Sequence, residues 1–220
     1  IGKALTDPRI QTLSFTGSDK VGWMLQQKSI GKKICLELGG NAAVIVHRDA
    51  DLSRAAARCA FGGYAYAGQI CISVQRIYVH DDVANEFEKL FLDEIGKLKV
   101  GDPSKTDVTV GPLIDSAAAD RVQAWVDEAK RDGARSLLSG ERKGNVFAPM
   151  VIAGAKPQHK ISSEEVFGPV VTLDRYRDFN DAIDAVNRSR FGLQAGIFAE
   201  SSVAIQRASD ELEVGGVIVN

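Results

Sequence analysis

The sequence predicts an α/β fold with a mainly parallel sheet flanked by helices. Short segments rich in β-branched residues alternate along the chain with longer segments whose apolar residues recur every three to four positions. Such alternation marks β-α-β units, whose strands run parallel. Glycines and aspartates stand at the joins between segments, where turns and helix caps need them. A chain of 220 residues, 45% hydrophobic and 25% charged, can bury a core without disulfides or metals.

The elements follow in order. Thr12–Thr16 is a strand closed by Gly17-Ser18, and 19–28 reads as a helix. Ile34–Leu38 is a second strand, ahead of Gly39-Gly40. Ala43–His47, rich in β-branched residues, is a third. Asp51-Leu52-Ser53-Arg54 opens a helix with Leu52, Ala55, Ala56, Cys59 and Ala60 on one face, and Gly62-Gly63 loosens its end. Val74–Val79 is a strand. Asp81-Asp82 after it suit the N-cap and the positive pole of the next helix. In that helix Val83, Phe87, Leu90, Phe91, Ile95 and Leu98 form the clearest apolar stripe of the sequence. Gly101–Thr109 is a polar loop, and a helix over 116–132 aligns Val122, Trp125, Val126 and Ala129. Strands are expected at Ser136–Leu138, Val146–Ile152 and Pro169–Tyr176. A helix at Asn180–Arg188, a strand at Ala195–Ala199, a helix at Ser201–Leu212 and a strand at Gly216–Val219 complete the series.

Composition narrows the function classes. A formal net charge of −2 gives no attraction to nucleic acid or an anionic membrane, so neither partner is expected. No apolar run approaches the length of a bilayer span, and Ile1–Ile10 lacks the pattern of a signal peptide. The three cysteines, Cys35, Cys59 and Cys71, form no C-x-x-C pair. An odd, unpaired set argues against a disulfide framework or a thiolate metal site and suits a reducing, cytoplasmic compartment. His47, His80 and His159 are scattered and read as structural or surface residues. The first residue is not Met, Ile1–Arg9 reads like the tail of a helix and a loop, and Val217–Asn220 stops at a strand end. The chain is therefore expected to be part of a longer polypeptide.

Four stretches carry potential chemistry. In Gly68-Gln69-Ile70-Cys71-Ile72-Ser73 a cysteine lies between a Gly- and Ala-rich helix and a strand, where a turn could present a reactive thiolate. A buried cysteine acting as a small hydrophobe is the competing reading. Cys35, in a strand, and Cys59, on an apolar helix face, are assigned that reading. In Cys35-Leu36-Glu37-Leu38-Gly39-Gly40, Glu37 ends an apolar strand. A carboxylate buried there titrates upward or finds a partner, as a general base requires. A strand-end glutamate facing solvent, paired with Lys33, is equally open. The Leu13–Ser18 strand-to-helix turn offers free amides and a glycine to an anion. Gly17 and Gly22 have the Walker A spacing, but Trp23-Met24 stand where Lys-Ser/Thr belong, which excludes a P-loop. In Ser162–Pro169, two acids precede Phe167-Gly168-Pro169. A carboxylate there could meet a ribose and the aromatic a flat ring, or the stretch is a surface loop.

Taken together, these stretches resemble the aldehyde dehydrogenase superfamily. Leu36–Gly40 is similar to its E-L-G-G motif and Gly68–Cys71 to its G-Q-x-C motif. Cys71 follows Glu37 by 34 residues, the family's spacing. Phe15–Ser18, Gly111–Ile114, Glu164–Val170, Phe191–Leu193 and Gly215–Asn220 match in the same order, so the resemblance covers nearly the whole chain. It implies that residues 1–38 end a Rossmann-like coenzyme domain and that 39–220 form the catalytic domain. Cys71 would be the nucleophile, its amide helping to stabilise the oxyanion, and Glu37 the base that hydrolyses the thioester. For NAD or NADP it implies Gly17 and Ser18 at the pyrophosphate, Val21 near the adenine, Leu38 and Gly39 by the nicotinamide, Glu165 on a ribose and Phe167 beside the nicotinamide. Glu37 favours hydrolysis over transfer to coenzyme A. Ile70 stands where the glyceraldehyde-3-phosphate branch has arginine, and Tyr66–Val74 looks most like lactaldehyde dehydrogenase-type enzymes of small aldehydes. The family's oxyanion-hole asparagine would lie before Ile1. A homo-oligomer, dimer or tetramer, is implied for the full-length enzyme. Two alternatives stand beside this reading: a catalytic domain that folds without turning over, and acyl-phosphate reductase chemistry on the same fold, against which Glu37 counts.

Overall fold

Two units divide the chain, Ile1–Gly39 and Gly40–Asn220; the computed structural model describes residues 2–220. The smaller contains α1 (Gly2–Thr6), β1 (Thr12–Thr16), α2 (Asp19–Lys28) and β2 (Lys33–Glu37). β1 and β2 pair in parallel, Thr12 opposite Lys33 and Thr16 opposite Glu37, with α2 as the crossover. Side chains alternate along both strands. Leu13, Phe15, Ile34 and Leu36 are half-buried, while Ser14, Cys35 and Glu37 share the exposed face. Cys35 was expected to pack as a small hydrophobe; instead it is exposed, opposite Ser14. A two-stranded sheet with one crossover helix has cover for only one face, and Cys35 falls on the other.

The larger unit is built on a seven-stranded sheet. In chain order it comprises β3 (Ala42–Val46), α3 (Leu52–Tyr64), a 3₁₀ turn at Ala65–Gly68, β4 (Val74–His80), α4 (Ala84–Gly96), α5 (Ser116–Arg131), β5 (Arg135–Leu138), β6 (Arg142–Lys143), β7 (Val146–Phe147), β8 (Met150–Ala153), α6 (Lys160–Ser163), β9 (Val170–Tyr176), α7 (Phe179–Asn187), β10 (Gln194–Phe198), α8 (Ser202–Glu211) and β11 (Gly216–Val219). The spatial order is β11-β10-β3-β4-β9-β8-β5. Every neighbouring pair is parallel except β5 with β8, as the alternation of strands and helices predicts.

Helices cover both faces. Ala55, Ala56 and Cys59 of α3, Phe87, Phe91 and Ile95 of α4, and Val122 and Val126 of α5 pack with Ile77, Val79 and Val171 on one side. The apolar stripes read from the sequence are thus the buried faces. On the other side, Ile183 and Val186 of α7 and Ala204 and Ala208 of α8 pack on Ala43, Ile45 and Ile197. Burial raises the Cys59 thiol well above its ordinary range, so this cysteine is the packed hydrophobe expected of it.

The strand expected over Val146–Ile152 is two strands. β7 pairs with β6, and β8 joins the main sheet. Between them the Ala148 N–H turns back to Glu141, while the Met150 N–H goes to the Pro169 carbonyl. Pro149, lacking an N–H, stands where the chain changes partners. Among the described residues no helix is long and apolar enough to cross a membrane.

Candidate active site

Ligands in open parallel sheets usually sit beyond the carboxyl ends of the strands. At β3 that edge is closed by the protein itself. Asp49, just past β3, accepts the N–H groups of Glu200 and Ser201 at the start of α8, and the Nδ1 of His47 lies 2.7 Å from its carboxylate. The stretches with chemistry enter at the opposite edge. Gly40 precedes β3, Cys71 precedes β4, Glu165 and Phe167 precede β9, Phe191–Leu193 precede β10, and Gly215 precedes β11. Because these strands are parallel, all five approaches lie along one edge of the sheet.

Cys71 is half-buried on a turn. The Ser73 N–H donates to the Ile70 carbonyl at 3.0 Å, so Cys71 and Ile72 are the central residues and the Cys71 amide stays outside the closing bond. Before the turn, Tyr66, Ala67 and Gly68 adopt φ values of 52°, 58° and 70°. Consecutive left-handed residues other than glycine are uncommon and cost of order 1–3 kcal/mol each, a strain that gathers at functional sites. Gly68 is required twice over. Its φ is left-handed, and a Cβ there would stand 2.3 Å from the Gly168 carbonyl oxygen. Gln69 staples the loop: its Nε2 donates to the carbonyls of Tyr66 and Pro112, both at 3.2 Å, and its Oε1 accepts the Ile114 N–H at 2.9 Å. The Gly111–Ile114 stretch thereby buttresses the cysteine loop. A cleft of about 460 Å³ lined by Phe61, Tyr66, Gln69 and Pro112 opens beside it.

Gly40 joins two parts of the site. A Cβ on it would stand 1.9 Å from the Cys71 carbonyl oxygen, and its N–H donates to Glu165 Oε1 at 2.9 Å. The Gly40, Cys71 and Glu165 stretches, far apart in sequence, therefore meet. Phe167 is 39% exposed with φ at 47°. Arg121 donates to the Val166 carbonyl at 2.8 Å and lies over the Trp125 ring. Burial pulls its guanidinium below its ordinary value, and the carboxylates of Glu165 and Asp115 oppose that.

The remaining predicted residues belong to the smaller unit. Gly17 follows β1, and its N–H donates to the Glu37 carbonyl at 3.0 Å. Ser18 caps α2, its Oγ accepting the Val21 N–H at 3.4 Å. Val21 is exposed, and Glu37 lies on the exposed face of β2 with Lys33. Leu38 packs so closely on Gly22 that a Cβ there would lie 2.3 Å from its Cδ2. Gly39 ends this unit.

Sequence reasoning missed three buried polar residues: Asn41 and Gln75, which bond to the 161–166 segment, and Arg76, which donates to the Asn41 carbonyl. Gln75 and Arg76 left a sign, as polar side chains inside the otherwise apolar β4. Among the described residues no cluster of three or more His, Cys, Asp or Glu is placed to hold a metal ion.

A profile of the aldehyde dehydrogenase family matches residues 1–220. The chain is 40% identical over 216 residues to a 3-sulfolactaldehyde dehydrogenase of Priestia aryabhattai, covering 98% of this chain and 45% of that protein. It is 38% identical over 226 residues to an NADP⁺ succinate-semialdehyde dehydrogenase of Escherichia coli, covering 100% of this chain and 47% of that protein. The crystal structure of aldehyde dehydrogenase 21 from Physcomitrella patens, in complex with the reaction product succinate, superposes with a TM-score of 0.94 at 40% identity, over 98% of this chain and 45% of that one. An NADP-dependent glyceraldehyde-3-phosphate dehydrogenase from Bacillus halodurans, complexed with NADP, gives 0.94 at 34% identity, over 98% and 45%. The chain thus spans about half the length of the curated relatives it matches. Matched from end to end by the family profile, and sharing the fold of its solved members at such identity, the chain belongs to the aldehyde dehydrogenase family.

Proposed function

We propose that the protein containing this chain is a cytoplasmic, homo-oligomeric enzyme that oxidises a small aldehyde to a carboxylic acid with NAD or NADP. Cys71 is its nucleophile and Glu37 its base. The observation that carries this reading is the convergence of the Gly40, Cys71, Glu165 and Phe191 stretches on the amino edge of one sheet. Relatives named for sulfolactaldehyde, succinate semialdehyde and lactaldehyde support a small polar substrate. The break between units, after Gly39, supports assigning 1–38 to the end of a coenzyme domain and 39–220 to a catalytic domain.

The residues present fit a dinucleotide. Gly17 and Ser18 lie between β1 and the start of α2, where backbone amides suit a pyrophosphate. A Cβ at Gly17 would run into the Phe15 ring at 2.6 Å, so the turn keeps its backbone bare. Val21 would meet the adenine. Leu38, Gly39 and Phe167 would border the nicotinamide, and the Glu165 carboxylate would accept from a ribose. Bound there, the nicotinamide supplies the acceptor for the hydride lost by the substrate. Cys71 as thiolate adds to the aldehyde carbon, forming the C–S bond and an oxyanion that its own N–H helps to stabilise. Loss of hydride leaves a thioester on Cys71. Glu37 takes a proton from water as the water oxygen attacks the thioester carbon. The C–S bond then breaks, releasing the acid and restoring the thiolate.

The test uses the full-length protein. Cys71→Ala should abolish both aldehyde oxidation and ester hydrolysis. Glu37→Gln should keep the first burst of NADH but slow steady-state turnover by roughly 10²–10⁴-fold, the usual worth of a general base. Ester turnover surviving in Cys71→Ala, or a wild-type steady state in Glu37→Gln, would overturn the assignments.

A further inference from the structure

Gln75 stands four residues after Cys71, within β4, and is 5% exposed. A primary amide is costly to bury unless its donors and acceptor find partners. Here they do. Nε2 donates to the carbonyls of Ile161 at 3.0 Å and Glu164 at 2.7 Å, and Oε1 accepts the Val166 N–H at 2.9 Å. One side chain thus grips the backbone on both sides of Glu165, the carbonyl before it and the N–H after it.

The Glu164 carbonyl takes a second donor, Asn41 Nδ2 at 2.9 Å. Asn41 is itself fixed, for its carbonyl accepts from Arg76 Nη2 at 3.0 Å, and the Arg76 guanidinium also donates to the Ala185 carbonyl of α7 at 2.9 Å. Glu165 Oε1 meets the N–H of Gly40, the residue before Asn41. The approach to β3 and the strand β4 therefore hold the 161–166 segment, and β4 begins directly behind the Cys71 turn.

We propose that Gln75 is a positioning residue for the cofactor. By bracketing Glu165 it sets where that carboxylate and the neighbouring Phe167 ring stand relative to Cys71. The proposal rests on the reading of Glu165 as the ribose carboxylate. Leucine at 75 would fill similar space but take away the bonds of Gln75 to the Ile161 carbonyl and the Val166 N–H, and leave the Glu164 carbonyl with Asn41 alone. Ionised glutamate would keep the shape but has no N–H for the two carbonyls.

Four variants of the full-length enzyme test this: Gln75→Leu, Gln75→Glu, Glu165→Gln, and Gln75→Leu with Glu165→Gln. The readouts are the Kd of NAD⁺ and NADP⁺ by calorimetry, cofactor KM against kcat, and the rate of Cys71 alkylation by iodoacetamide. Gln75→Leu and Gln75→Glu should each weaken cofactor binding about tenfold or more, the scale of losing buried hydrogen bonds. Cys71 alkylation should stay within about twofold, since the nucleophile's turn is held separately by Gln69. Because Gln75 acts through Glu165, the double variant should bind little worse than Glu165→Gln alone. Wild-type cofactor affinity in either folded Gln75 variant, with Glu165→Gln impaired, would overturn the role of Gln75 alone. So would losses that multiply in full in the double variant. Wild-type affinity in Glu165→Gln would overturn the ribose reading and the role of Gln75 with it.

Discussion

Gly40 shows how one missing side chain sets the geometry of a site. The backbone conformation does not demand glycine there; the neighbours do. A Cβ would stand 1.9 Å from the carbonyl oxygen of Cys71, a backbone atom that cannot swing aside. Gly40→Ala must therefore move the cysteine turn, the Glu165 hydrogen bond, or both. Displacements near 1 Å at reacting groups cost on the order of a hundredfold in rate, and that loss in kcat is expected of Gly40→Ala in the full-length enzyme. Gly96→Ala is the matched control, because a Cβ there meets nothing within 4 Å. Steady-state kinetics of the two variants, beside their thermal melts, checks this; wild-type kcat in Gly40→Ala would show that the turn tolerates the shift. At this scale the sequence was legible where chemistry is local. The turn at Cys71 is an example: the glycine before it and the start of a strand after it stand within a few residues. What Gln75 and Asn41 hold was not legible, because their partners are backbone groups 86 or more residues away, and backbone groups leave no mark on a sequence.

Asp49 does for an element what Gly40 does for the Cys71 turn. It follows β3, yet its carboxylate accepts the N–H groups of Glu200 and Ser201 as the chain enters α8. Burial pushes its carboxyl upward, but His47 and the two amides outweigh that and hold it below the ordinary carboxylate range. A carboxyl depressed by folding contributes stability above its unfolded pKa, and that contribution is lost as pH falls through the folded value. Asp49→Ala should therefore destabilise the fold at neutral pH by about 1–2 kcal/mol, the scale of hydrogen bonds to a partly exposed charged group. The gap to wild type should close in strong acid. Urea melts at several pH values measure it, and a gap independent of pH would refute the charge-assisted role. Elements with strong periodicity, such as α4 with Phe87, Phe91 and Ile95, were readable from spacing alone. The division of 146–152 was not, since it depends on whether β6 or β9 is the nearer partner, and strand pairing is a tertiary fact.

At the scale of the whole molecule the two units differ in what they can sustain. Gly40–Asn220 has a seven-stranded sheet with a helical layer and an apolar cluster on each face. Ile1–Gly39 has two strands, one face of which carries Ser14, Cys35 and Glu37 exposed. A sheet of two strands is marginal alone, and chains below about 40 residues seldom bury enough surface to fold without a staple. Residues 40–220 expressed alone should therefore unfold in one cooperative thermal transition, whereas 1–39 alone should give the circular dichroism of an unfolded chain. The Gln69 staple, the Gly40 contact and the Gln75 bracket all lie within 40–220. Cys71 in that piece should consequently stay open to iodoacetamide at close to its rate in the full chain. A piece that binds hydrophobic dye and melts without a transition would show that the two apolar clusters do not suffice. A folded piece with an unreactive Cys71 would show instead that residues 40–220 alone do not suffice to present this thiol.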